Sequence, residues 1–208
     1  MALGIIGKKI GMTQMFSPDG EVIPVTVVQA GPCTVVQKKT LEKDGYSAVQ
    51  LGFGEKKAQK CTRALQGHMK KAGDKASVVL REFRVDDGAA YDVGQSVTVD
   101  IFEQGETVEI TGTSKGKGFA GNIKRHGFAR GPMGHGSKFH RQVGSIGQSA
   151  WPSHVFKGKK MPGQLGNVRV TVKGLRIIDA RPDENLLLIR GAVPGHKNSL
   201  IMICKTSK

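Results

Sequence analysis

The sequence predicts a mainly β protein: an antiparallel β-barrel interrupted by a long irregular, basic internal extension, with one or two short helices. Three observations carry this. Short runs rich in β-branched residues recur at regular spacing, and Gly/Pro-containing turns divide them, as in antiparallel barrels. Over residues 112–166 that rhythm stops, and the chain becomes glycine-rich without a sustained apolar period. Residues 110–178, which contain it, lack any carboxylate.

The strands follow in order. Residues 12–16 and 21–30 (EVIPVTVVQA) flank Ser17-Pro18-Asp19-Gly20, a turn sequence, and form a hairpin. Gly31-Pro32 turns the chain into a strand at 33–38. Asp44-Gly45 precedes residues 46–53, in which Tyr46, Ala48 and Gln50 alternate with Ser47, Val49 and Leu51. Residues 56–72 are the helical stretch of this half, with Leu65 and Met69 one turn apart. Strands are expected at 78–85, 96–102 and 107–111, divided by Asp86-Asp87-Gly88 and Glu103-Gln104-Gly105. After the basic stretch come 168–173, 175–180, 185–190 and 200–204, with turns at Arg181-Pro182-Asp183 and Val193-Pro194-Gly195. A short helix is expected around 119–125, and 127–166 reads as irregular. The division is a barrel domain at 1–111 and 167–208, with an arm at 112–166 inserted in it.

Charge separates the two parts. The chain carries 32 Lys+Arg and 17 Asp+Glu, a net charge of +15. Thirteen of the basic residues and none of the acidic ones lie in 110–178, leaving 19 basic against 17 acidic over the other 139 residues. A surface with no local counter-charge repels itself until a polyanion neutralises it, and nucleic acid is the obvious polyanion. The stretch also holds fourteen glycines and five of the eleven aromatics: Phe119, Phe128, Phe139, Trp151 and Phe156. Aromatics set it apart from disordered linker, and the combination reads as an arm that threads into a nucleic acid. Sequence-specific DNA readers usually present a helix to the major groove. A glycine-rich arm with donors and stacking faces suits folded RNA better. A DNA-binding architectural protein is the alternative.

Other chemistry is poorly supported. Gly116-Lys117-Gly118-Phe119-Ala120-Gly121 matches the dinucleotide-loop spacing, but the acid needed for the ribose about 20 residues on is missing. Ser137 and Ser145 have histidines nearby but no acid to orient them. Histidines 126, 135, 140 and 154 fit no metal spacing. Cys33, Cys61 and Cys204 are far apart and odd in number, which argues for free thiols in a reducing cytosol. No run is long enough to cross a membrane. The expectation is a non-enzymatic protein with no cofactor, no metal, no small-molecule substrate and no membrane partner.

Four motifs carry a resemblance: GIIGKKIGMT from Gly4, TGTSKGKGFAG from Thr111, GSIG from Gly144 and VFKGKKMPG from Val155. In order and spacing they resemble the bacterial-type family of ribosomal protein three of the large subunit, over essentially the whole chain. The resemblance implies a translation-protein-like β-barrel on the subunit surface. It implies an extension reaching through large-subunit (23S) rRNA toward the peptidyl transferase centre, direct rRNA binding early in assembly, neighbouring ribosomal proteins as partners, and a cytoplasmic ribosome as location. The family's tip corresponds to 144–152, and its basic flanks to 115–141 and 157–160. The expected rRNA contacts are Lys115, Lys117, Lys124, Arg125, Arg130, Lys138, His140, Arg141, Gln148, Trp151, Lys157, Lys159 and Lys160. Some members carry a methylated glutamine two residues beyond the position of Gln148; here that position is Ala150.

Overall fold

The turn at Ser17-Pro18-Asp19-Gly20 closes as the residue types require. Gly20 adopts φ +81°, its N–H reaches the Ser17 carbonyl, and the Ser17 hydroxyl accepts from Glu21 N–H at 3.1 Å. The hairpin it joins, β1 (Ile5–Phe16) and β2 (Val22–Ala30), is longer than the motif pattern indicated. Its first strand begins inside the GIIGKKIGMT segment. The computed structural model describes residues 4–73, 76–86 and 90–206. The expected turn at Asp86-Asp87-Gly88 lies partly outside them.

The remaining strands are β3 (Cys33–Lys39), β4 (Ala48–Lys56), β5 (Ala76–Arg84), β6 (Ser96–Val97), β7 (Thr107–Thr113), β8 (Phe119–Ala120), β9 (Gly163–Gln164), β10 (Arg169–Arg181), β11 (Leu186–Arg190) and β12 (Leu200–Lys205). Three short α-helices are present among the described residues: α1 (Leu41–Asp44), α2 (Arg63–Met69) and α3 (Asn122–His126). The protein is mainly β and its sheets are antiparallel.

Six strands close into a barrel in the order β1-β12-β7-β10-β11-β2. The strand pattern did not divide the strands further, but β5-β4-β3-β6 form a separate four-stranded sheet. Alternate residues point inward, and Ile5, Val28, Val108, Ile110, Ile177, Leu187, Ile189, Ile201 and Ile203 are fully buried. Val35, Val49, Leu51, Phe83 and Val97 from the second sheet join the same apolar cluster. Each such side chain contributes roughly 1.5–3 kcal/mol relative to exposure.

Three local expectations change. The helical stretch at 56–72 is α2 with 3₁₀ turns at 58–60 and 70–72. Glu55 and Lys56 stay in the β4 ladder opposite Ser77 and Ala76, and Thr62 supplies the cap by accepting from Leu65 N–H. Leu65 and Met69 do share a face: with Val36, Ala76 and Leu80 they form a small second core. The strand at 96–102 is only β6, after which residues 99–101 turn as 3₁₀ helix and bury Val99 and Phe102. The two strands expected at 168–173 and 175–180 are one, β10, with a bulge between Val172 and Leu175 where Gly174 takes φ +72°.

The chain divides into two compact units, Met1–Ser114 with Arg169–Lys208, and Lys115–Val168. The second is inserted between β7 and β10, whose ends are paired at Thr113 and Arg169.

Candidate nucleic-acid interface

The inserted unit, Lys115–Val168, is two limbs joined by a loop. The limbs are zipped where they begin and end. Lys117 N–H donates to Leu165 O and Leu165 N–H to Gly118 O, both at 2.9 Å, and β8 then pairs with β9. Glycine is required where the limbs touch: a Cβ on Gly166 would stand 2.0 Å from the Lys115 carbonyl oxygen. The segment Gly116–Gly121, which mimics a nucleotide loop in sequence, is therefore one rung of this ladder.

Helix α3 fastens the limbs a second time. Gly127, at φ +69°, ends the helix by donating to Ile123 O. From the helix Asn122 Nδ2 donates to Lys160 O at 3.2 Å, Arg125 to Met161 O at 2.6 Å, and His126 Nε2 to the same Met161 oxygen at 3.0 Å. A carbonyl only accepts, so His126 carries its proton on Nε2. Gly163 lies under the Arg125 guanidinium, where a Cβ would meet a terminal nitrogen at 2.7 Å. Arg125, expected as an rRNA contact, thus spends at least one donor on the arm's own backbone.

Beyond α3 the backbone is held by local turns. Gly131 N–H donates to His140 O at 3.0 Å, and His140 Nδ1 donates to Pro132 O at 2.8 Å. His135 and Gly136 both take left-handed backbone, and Phe139 N–H reaches the Ser137 hydroxyl. At the far end Ser145 donates to Gly147 O, and Ser153 to Ala150 O. His154 packs edge-on against Phe156, 5.2 Å between ring centres, and Gly158 turns the chain back.

This scaffold displays charge and apolar surface together. Lys115, Lys117, Lys124, Arg130, Lys138, Arg141, Lys157, Lys159 and Lys160 are all exposed, and none forms an ion pair among the described residues. Gln148 is exposed in the tip loop. Among them stand Phe119, Met133, Trp151 and Phe156, each more than 60% exposed, Trp151 at 80%. A segment in water does not normally leave so much apolar surface uncovered. Cations beside exposed ring faces are what phosphates and unstacked bases require. Among the described residues no three His, Cys, Asp or Glu side chains gather as metal ligands would, and no helix is long and apolar enough to cross a membrane.

The family model of ribosomal protein L3 matches residues 82–185. The large ribosomal subunit protein uL3 of Geobacter metallireducens is 59% identical over 203 residues, 98% of this chain and 97% of that protein. The uL3 of Desulforudis audaxviator is 58% identical over 98% of this chain and 95% of its own length. That of Carboxydothermus hydrogenoformans is 56% identical over 100% and 99%. The chain belongs to the ribosomal protein L3 family. It is a structural, non-enzymatic family.

In this L3 family member the motif residues turn out to have unlike roles. Of the two lysines in GIIGKKIGMT, Lys9 is buried, with Nζ 2.8 Å from Val193 O and 3.4 Å from Gly195 O. It ties the 193–199 loop to β1, and its main chain bonds Ser199 and Asn198 as well. Gly4 and Gly7 of the same motif are packing residues: a Cβ at Gly4 would lie 2.5 Å from Ile203 O, and one at Gly7 2.8 Å from Gln29 O. The alternation of β1 was the available signal, since it puts residue 9 on the inward face of a strand that starts at Ile5. Nothing local in the sequence marks the Arg125 clasp, because its acceptor is a backbone carbonyl 36 residues away.

Proposed function

We propose that the chain is a structural component of the large ribosomal subunit, in the cytoplasm, that binds 23S rRNA directly and early in assembly. The arm at 112–166 enters folded rRNA and reaches toward the peptidyl transferase centre. The barrel at 1–111 and 167–208 docks beside neighbouring ribosomal proteins. One observation carries the reading: nine exposed cations, unpaired among the described residues, and four highly exposed apolar side chains share an arm without a single carboxylate. An Asp or Glu there would be buried against phosphate with no partner.

Each residue then has a role. Lys115, Lys117 and Lys124 lie on the ingoing limb and Lys157, Lys159 and Lys160 on the outgoing one, so phosphates are met along both. Arg130, Lys138, His140 and Arg141 serve the path between. Because His140 Nδ1 already donates to Pro132 O, its Nε2 is the atom left for RNA. Gln148 and Trp151 present an amide and an indole face at the tip. Arg125 holds the limbs together and offers its remaining donors.

Trp151 is the only tryptophan, which makes the test direct. Added large-subunit rRNA is expected to shift or quench its emission and shield it from acrylamide, and rRNA should outcompete duplex DNA of equal length. Preference for the duplex would favour the architectural DNA alternative. An unchanged spectrum with bound rRNA would remove Trp151 from the interface.

A further inference from the structure

The far end of the β1–β2 hairpin is the electrostatic opposite of the arm. Residues 10–37 contain no lysine, arginine or histidine, and their charges are Asp19 and Glu21. At the chain's average basic content, a given stretch of that length would lack Lys and Arg roughly 1% of the time, so the depletion is a property of the surface to be explained. Neither acid forms an ion pair among the described residues.

The hairpin also outruns its neighbours. β12 pairs with β1 only from Ile5 to Lys8, and β11 with β2 only from Val25 to Gln29. Lys9 still bonds Ser199 and Asn198, and the Pro24 carbonyl accepts from Gly191 N–H; past these the two strands pair only with each other among the described residues. In their register Met12, Gln14 and Phe16 stand opposite Thr26, Pro24 and Val22, which puts these side chains on one face. Met12 is 52% exposed, Phe16 67% and Val22 54%. The basic positions beside this stretch are Lys8 and Lys9 at the start of the hairpin, the second turned onto Val193 O and Gly195 O, Arg190 opposite Val25, and Lys197 in the loop tied to Lys9.

A contiguous apolar face with an acidic tip repels phosphate, and in water it is a surface awaiting a partner. We infer that this face, Met12, Gln14, Phe16, Val22 and Pro24, docks a basic protein of the same subunit: one that lays apolar side chains across the hairpin and sets lysines or arginines beside Asp19 and Glu21. The inference rests on the ribosomal reading above and specifies one partner within it. It also divides labour by charge, since the apolar side chains of the arm are interleaved with cations and suit bases, whereas those of the hairpin are not.

The test uses full-length chain with Phe16→benzoylphenylalanine, incorporated into large subunits and irradiated there. The expected adduct joins residue 16 to a ribosomal protein of pI above about 9. Its yield should fall severalfold when Gln14→Lys is added and hold or rise with Gln14→Glu; a contact with RNA would reverse that order. An adduct with rRNA, an adduct with a second copy, or subunits that contain the variant but give no adduct each overturn the proposal. The same probe at Val22 guards against a local effect of residue 16. If neither the variant nor the unsubstituted chain enters the subunit, the functional reading itself fails.

Discussion

Neutralising the outgoing limb is the sharpest probe of the arm. Nine exposed cations occupy the arm, and among the described residues none of them is paired with a carboxylate. Each phosphate neutralised releases counterions and adds about −0.7 to −0.9 to the slope of log K against log salt. Full engagement of the nine gives a slope of roughly −6 to −8, or about 10³–10⁵ in affinity between 50 and 200 mM salt. The triple variant Lys157→Gln, Lys159→Gln, Lys160→Gln removes three of these charges from a turn built by Gly158 and the Lys159 N–H to Phe156 O bond, which glutamine leaves intact. Asn122 grips the main chain of Lys160 rather than its amine, so the limbs stay fastened. The slope should therefore fall by about 2 to 3 with no loss of fold. Filter binding to a large-subunit rRNA fragment over a potassium chloride series measures it. A parent slope shallower than −2, or a triple variant indistinguishable from the parent, refutes the reasoning.

Three other expectations concern the fold. Lys9→Met strands the carbonyls of Val193 and Gly195 and should cost about 2 kcal/mol in urea unfolding at unchanged m value, in line with charged hydrogen bonds; a loss under 0.5 kcal/mol would make Lys9 dispensable. Replacing Lys115–Val168 by a short Asn-Gly turn between the paired ends of β7 and β10 should leave one cooperative unfolding transition while abolishing high-affinity rRNA binding; a molten product would show that the barrel depends on the arm. Burial pushes the Cys33 thiol up from 9.0 to about 11, and the thiol donates to Ile6 O at 3.5 Å. The native state thus keeps a proton that the unfolded chain releases, and this stabilisation is complete below pH 9 and lost as pH rises through 11. The fall in urea midpoint from pH 9 to 11 should be steeper in the parent than in Cys33→Ala, and iodoacetamide at pH 8 should label Cys33 only after unfolding.

Much of this was legible in the residues because it is local. A turn such as Ser17-Pro18-Asp19-Gly20 is dictated by the φ values its own residues tolerate, so the hairpin could be placed from the sequence. The four-residue spacing of Leu65 and Met69 located α2, although not its ends, because Lys56 pairs with Ala76 of β5 and so belongs to β4. Gly174 was read as a break between two strands. The structure makes it a bulge in one, since a single left-handed residue can be absorbed where the ladder slips.

What the sequence determined by itself was the β class, turns such as Ser17-Pro18-Asp19-Gly20, the carboxylate-free stretch with its cations and aromatics, and the family. These depend on composition and on neighbours along the chain. Which strands close the barrel and which form the side sheet was decided by tertiary structure alone. β-branched runs look alike until hydrogen-bond registers between residues as distant as Ile5 and Ile203 select one pairing. The same long-range pairing sorted the charges: it buried Lys9 under two carbonyls, turned Arg125 back onto the arm, and left the uncharged face of the β1–β2 hairpin uncovered.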